Sequence, residues 1–192
     1  STETWAALRW PSLKSARRAP SQVIPVLLPA AQTEPVASLG DAADDPAIWV
    51  NPRSPAESLV LGTNKKQGLV VYDLKGRQRQ SLEIGRLNNV DLRQGVRLGG
   101  VMLDVAVASH RDDKAIVVLS VDERGELSER VRVPTGLDDL YGICLYQPPV
   151  GGLDVIVNDK DGRFRQYTLL TDAAGAIQAR LAREFKLATQ PE

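Results

Sequence analysis

Cysteine, methionine and histidine each occur once in the 192 residues, and aromatic residues make up only 5%. A single Cys144 permits no intramolecular disulfide. It lies in the apolar run Tyr141-Gly-Ile-Cys-Leu-Tyr146, where a small buried hydrophobe is expected in preference to a reactive thiol. The few aromatics argue against base or sugar stacking across a broad surface. Lys plus Arg and Asp plus Glu balance at 24 each, so no global field draws the chain to nucleic acid or membrane. Any charge-based function must arise from local arrangement. No stretch approaches the ~20 consecutive apolar residues of a spanning helix. A secretion-signal pattern is also missing, and a start at Ser1 without Met is what a processed or trimmed chain would show. The one histidine, His110, reads as a surface residue and incidental.

What is present is a repeat. Val70-Val71-Tyr72-Asp73-Leu74, Val117-Val118-Leu119-Ser120-Val121 and Arg165-Gln166-Tyr167-Thr168-Leu169 align on positions 72, 119 and 167, steps of 47 and 48 residues. A turn glycine follows each copy, at Gly76, Gly125 and Gly175. A polar hairpin with positive charge precedes each one: Asn64-Lys65-Lys66, His110-Arg111 and Asp159-Lys160. A period in the forties built of short strands marks propeller blades. A β-sandwich needs no such spacing.

Residues 1–34 stand apart, with Pro11, Pro20, Pro25 and Pro29, and four cations against two acids. We read them as an arm, with a short helix around Thr2–Trp10 ended by Pro11 and an extended segment at Val23–Leu28. Residues 35–192 are expected to be all-β: a partial β-propeller of four-stranded antiparallel blades at about 41–86, 87–135 and 136–190. Strands A to D are predicted at Ala47–Val50, Leu59–Thr63, Leu69–Leu74 and Gln80–Ile84. The second set is Val90–Arg93 (running on toward Leu98), Met102–Ser109, Ala115–Val121 and Leu127–Val133. The third is Gly142–Tyr146, Asp154–Asn158, Phe164–Leu169 and Ile177–Phe185.

In an antiparallel blade the start of strand A and the end of strand B lie on the same propeller face, with A innermost. Asp41, Asp44 and Asp45, Asn88, Asn89 and Asp91, and Asp138, Asp139 and Tyr141 stand at the starts of A. Lys65 and Lys66, His110 and Arg111, and Asp159, Lys160 and Asp161 stand at the ends of B. Oxygen ligands of this kind suit calcium, and the cations beside them suit phosphate. These residue types are also ordinary in hairpins, so each cluster alone reads more readily as a turn than as a site, and Asp44-Asp45-Pro46 as the turn leading into a strand. Three clusters in register on one face point to a site.

The strings Gly40-Asp-Ala-Ala-Asp-Asp-Pro-Ala-Ile-Trp-Val50 and Gly85-Arg-Leu-Asn-Asn-Val-Asp-Leu-Arg93 resemble signature segments of the β-propeller (alkaline, calcium-dependent) phytases. Gly62-Thr-Asn-Lys-Lys-Gln-Gly68, Ala108-Ser-His-Arg111, Asp139-Leu-Tyr-Gly142 and Phe185-Lys-Leu-Ala-Thr-Gln-Pro-Glu192 match in the same order. The resemblance runs from about Glu34 to the last residue. It implies a six-bladed propeller that hydrolyses phosphate from myo-inositol hexakisphosphate by attack of a calcium-bridged water. It also implies a secreted or periplasmic location. Lys65, Lys66, Arg111 and Lys160 match phosphate-binding cations; Tyr141, Asp44 and Glu192 match positions around catalytic calcium ions, and Asp45 a calcium-site carboxylate. Within that set, Lys65, Arg111, Tyr141 and Glu192 are the expected catalytic residues. Asn89 and Asp91 lie within a signature string. His110 replaces a common Asn, and Asp161 stands for the family's acidic residue.

Six blades of ~45 residues need about 270, so the chain resembles an amino-terminal half. The expected partner is therefore a second copy or a carboxy-terminal half-propeller, with no nucleic acid or membrane involved. The alternative function is a non-catalytic, incomplete domain that binds inositol phosphate or assists a complete catalytic domain.

Overall fold

The structure is a computed structural model and describes residues 28–188. The chain divides after Ala30 into two units, and of the first only residues 28–30, all exposed, are described. The expected Thr2–Trp10 helix and most of the Val23–Leu28 segment lie outside the described residues. The second unit is built from twelve strands in three antiparallel sheets of four, each following chain order.

Sheet 1 contains β1 (Ala43–Trp49), β2 (Leu59–Asn64), β3 (Gly68–Asp73) and β4 (Gln78–Leu82). Sheet 2 contains β5 (Leu87–Leu98), β6 (Val101–His110), β7 (Ala115–Val121) and β8 (Leu127–Pro134). Sheet 3 contains β9 (Leu140–Tyr146), β10 (Leu153–Asp159), β11 (Arg163–Thr171) and β12 (Ile177–Lys186). This is the blade architecture expected from the repeat, and the three sheets do not close into a ring.

Why each strand occupies its rank follows from its composition. Strand β7, Ala-Ile-Val-Val-Leu-Ser-Val, is β-branched and almost wholly buried, as a strand covered on both faces must be. The outer strands β4, β8 and β12 alternate with exposed charged and polar residues, which discourages pairing with a further edge. Strand β1 tolerates Pro46 because it is an edge strand and its missing N–H costs no ladder bond on the open side.

Two cores lie between the sheets. Leu61, Leu69 and Val71 of sheet 1 pack on Ala106, Ala108, Val117 and Leu119 of sheet 2. Alternate residues of the same two strands, Val105, Val107, Ile116 and Val118, pack on Val155, Val157, Tyr167 and Leu169 of sheet 3. Sheet 2 therefore supplies side chains to both cores. Each fully buried valine or leucine stabilises by roughly 1.5–3 kcal/mol. Trp49, 1% exposed, ties sheet 1 to sheet 2 by donating its indole N–H to Asp104 Oδ2 at 2.7 Å.

The repeat extends to hydrogen-bond detail. The β3–β4, β7–β8 and β11–β12 turns share the pattern Asp-x-x-Gly-x, beginning at Asp73, Asp122 and Asp172. In each, the aspartate Oδ1 accepts two backbone N–H bonds, from Lys75 and Arg77, from Arg124 and Glu126, and from Ala174 and Ala176. The glycine takes φ of 80°, 81° or 83°, a region open to residues without Cβ. A β-bulge follows at one register in all three sheets, after Val71, Val118 and Gln166.

Candidate functional site

The ladders place the end of each strand B beside the start of strand A: Ala43 opposite Asn64, Leu87 opposite His110, and Leu140 opposite Asp159. Strand A bulges within its first turns in every sheet, between Ala43 and Pro46, between Leu87 and Val90, and opposite the Val157–Asp159 step of β10. A bulge re-aims side chains out of the normal alternation. It does so at Asp44-Asp45, at Asn88-Asn89 and at Tyr141-Gly142.

The last residue of each strand B is polar and buried: Asn64, His110 and Asp159 are 2%, 2% and 3% exposed. Their types differ but their work is shared. Asn64 Oδ1 accepts the Lys66 N–H at 3.0 Å, His110 Nδ1 the Asp113 N–H at 3.0 Å, and Asp159 Oδ1 the Asp161 N–H at 3.3 Å. Each fixes the hairpin whose next residue is the cation Lys65, Arg111 or Lys160. His110 is thus a buried structural residue, in contrast to the surface residue expected. Its Nε2 lies 2.8 Å from the Ile84 carbonyl and 3.1 Å from Arg132 Nη1. Gly85, at φ 99°, leaves room for that ring; a Cβ there would lie 2.3 Å from His110 Nε2.

Asp159 is the most heavily bonded of the three. Burial alone would raise its carboxyl, but N–H groups of Asp139, Asp138 and Asp161 outweigh it and bring the carboxyl below the usual range. Arg163 adds an ion pair at 3.1 Å.

Neighbouring inner strands are stitched by a second recurring set. Thr63 Oγ1 accepts from Asp45 N and donates to Asn88 O at 2.7 Å. One sheet on, Ser109 Oγ accepts from Asn89 N and donates to Tyr141 O at 2.9 Å. Asp45 Oδ2 receives the Val90 N–H at 3.0 Å, and Asp91 Oδ2 the Leu145 N–H at 2.8 Å. Asn89, Asp91 and one oxygen of Asp45 therefore hold strands together. Ser109→Ala is expected to lower stability by about 1–2 kcal/mol, because it removes a donor and an acceptor from a buried bridge. Denaturant unfolding with an unchanged m value checks this; a loss below a few tenths would mean the bridge is idle.

The cations differ in their surroundings. Lys65 donates to Asp41 Oδ2 at 2.8 Å and lies 3.7 Å from Asp44 Oδ1. Asp41 raises the Lys65 ammonium above its ordinary range, and Lys65 lowers the Asp41 carboxyl. Lys66 donates its ammonium to the Leu39 carbonyl. Lys160 lies 3.4 Å from Asp139 Oδ2 and 5.3 Å above the Tyr141 ring, a cation–π distance. Among the described residues Arg111 makes no salt bridge: Asp112 pairs with Arg86 at 2.7 Å and Asp113 with Arg132 at 2.5 Å.

The donors fit a hard cation in kind, since Asp44, Asp45 and Tyr141 offer oxygen. They fit in part by number. No three His, Cys, Asp or Glu side chains among the described residues converge on one point, whereas calcium takes six to eight oxygens. Glu192 lies outside the described residues. Cys144 is exposed on β9, contrary to the expected buried position, because the core-facing place belongs to Leu145. Partial desolvation and the Asp91 charge raise its thiol.

Three four-stranded propeller-type blades, each with a cation at one register beside an oxygen-rich strand start, define the chain as part of a β-propeller-type protein. A model of the phytase family matches residues 3–192, and the chain belongs to that family. It is 43% identical over 169 residues to a 3-phytase of Bacillus subtilis (strain 168), covering 84% of this chain and 44% of that protein. The chain thus spans less than half the length of this curated relative.

Proposed function

We propose that this chain is the phosphate-engaging part of a calcium-dependent phytase that hydrolyses phosphomonoesters of myo-inositol hexakisphosphate. The observation that carries the reading is the register of Lys65, Arg111 and Lys160. Each follows a buried polar residue at the end of strand B, so three cations project from one end of the stack at blade spacing. Arg111 offers a planar fork to two phosphate oxygens, whereas Lys65, Lys66 and Lys160 act as point charges. Asp44, Asp45, Tyr141 and Glu192 are the residues that would hold calcium. Calcium, when bound, supplies positive charge for the phosphate oxygens and acidifies water. Lys65, Arg111, Tyr141 and Glu192 are the proposed catalytic set. The remaining ligands are proposed to come from a further part of a longer protein, or from a second copy of the chain. Secretion or a periplasmic location accords with this substrate.

Phosphate release from the hexakisphosphate is expected in calcium and not in excess chelator, measured on a parent protein that contains this chain. Equal rates in both would exclude the metal-dependent reading. A second reading is favoured by the 44% coverage of the relative and the incomplete oxygen set: a non-catalytic domain that binds inositol phosphate or assists a catalytic one. Calorimetric binding by the isolated chain without phosphate release would select it.

A further inference from the structure

The three register-equivalent cations are treated unequally by the segments that lead into the inner strands. Ahead of β1 stands Asp41, and ahead of β9 stand Asp138 and Asp139; the matching residues ahead of β5 are Gly85 and Arg86. Sheets 1 and 3 therefore present a carboxylate to their cation, at 2.8 Å for Lys65–Asp41 and 3.4 Å for Lys160–Asp139. Sheet 2 presents an arginine instead, and Arg86 pairs with Asp112 at 2.7 Å. Arg132 pairs likewise with Asp113. The result is one open cation flanked by two covered ones.

Resting on the proposed phosphate site, we propose that Asp41 and Asp139 are displaceable carboxylate placeholders: they occupy Lys65 and Lys160 until a polyphosphorylated substrate replaces them. A carboxylate and a phosphate oxygen compete for the same ammonium. Both carboxylates are solvent-accessible, the Asp41 side chain at 85% and the Asp139 side chain at 52%, with their partners Lys65 and Lys160 at 20% and 51%. Ion pairs with an exposed carboxylate are weak, weak enough for an incoming phosphate to displace. A monophosphate meets Arg111 with no pair to break. An inositol carrying several phosphates must break both pairs to gain three cations, so the placeholders lower its affinity while leaving that of a monophosphate at Arg111 unchanged. In the unliganded chain they also hold the two ammonium groups in place, which limits the side-chain ordering needed on binding. Asp41 and Asp139 are thus specificity-determining residues.

The test is calorimetric titration of the chain with myo-inositol hexakisphosphate in excess chelator. Asp41→Asn and Asp139→Asn are each expected to tighten binding about 2–5-fold, the dissociation-constant equivalent of an exposed ion pair. Removing any nearby negative charge also favours an anion, so a double-mutant cycle separates the two causes. The gain from Asp41→Asn should vanish in a Lys65→Ala background if Asp41 acts by occupying Lys65. A gain that persists there, or no gain in wild-type background, overturns the placeholders. Weaker binding by Lys65→Ala alone would still support the phosphate site in either case. Absence of hexakisphosphate binding by the unaltered chain would defeat the site and the placeholders together.

Discussion

Replacing Asp159 with alanine is expected to lower stability by about 3 kcal/mol, the range for removing one member of a buried charged cluster. Asp159 is 3% exposed. It accepts N–H bonds from Asp138 and Asp139 at 2.9 and 3.1 Å, and pairs with Arg163 at 3.1 Å. Alanine would remove the shared acceptor of two part-buried N–H groups and one partner of the Arg163 guanidinium. Asp159→Asn keeps one oxygen acceptor and should recover part of the loss. The pH dependence has a fixed sign. A carboxyl whose folded value lies below its unfolded one contributes stability above the unfolded value, near 3.9. That contribution is lost as pH falls through the folded value. Denaturant midpoints of the unaltered chain and the variant should therefore converge below about pH 4. Midpoints that stay equally far apart down to the acid limit would show that packing, and not charge, is the role of Asp159.

Arg111→Ala should weaken engagement of inositol hexakisphosphate about 30-fold, which corresponds to about 2 kcal/mol for a charge-assisted fork in a partly exposed setting. The loss should fall on KM and leave kcat little changed in a parent protein that turns over substrate, because the arginine holds the substrate's charge before and during reaction alike. Structure is expected to survive, since the hairpin is fixed through the Arg111 backbone N–H bond to Arg86 O at 2.8 Å and through His110. Unchanged constants would place the site elsewhere. A large fall in kcat at constant KM would instead give Arg111 a role confined to the transition state.

Strand order and most boundaries were legible because each blade strand has its own composition. The predicted Ala115–Val121 coincides with β7, and other strands differ by a few residues. The main shift is β1, which begins at Ala43 where Ala47 was predicted. Asp44-Asp45-Pro46 has the composition of a turn, and the chain there is a bulged strand in which Asp45 bonds to the next sheet and Asp44 lies beside Lys65. The cations were legible through spacing. Their supports were not, because Asn64, His110 and Asp159 share a position and a job but no chemical type. The available signal was positional: a polar residue immediately before each cation, at the end of an apolar strand. Cys144 misled for the opposite reason. Its neighbours Ile143 and Leu145 are apolar, yet strand alternation turns the sulfur away from them.

The chain-order pairing of every strand has a consequence for how the molecule forms. No strand waits for a partner from a distant part of the sequence, because each sheet is a meander in chain order. The loop-closure entropy of each pairing step is accordingly low, and the native contacts inside a sheet are local. Long-range cost arises only when finished sheets dock. Sheet 2, apolar on both faces, is the common template for the two docking steps. A chain emerging from the ribosome can complete sheet 1 while sheet 2 is still being made, then bury its inner face as soon as β7 appears. Assembly therefore proceeds as a short linear series of additions, in the direction of synthesis.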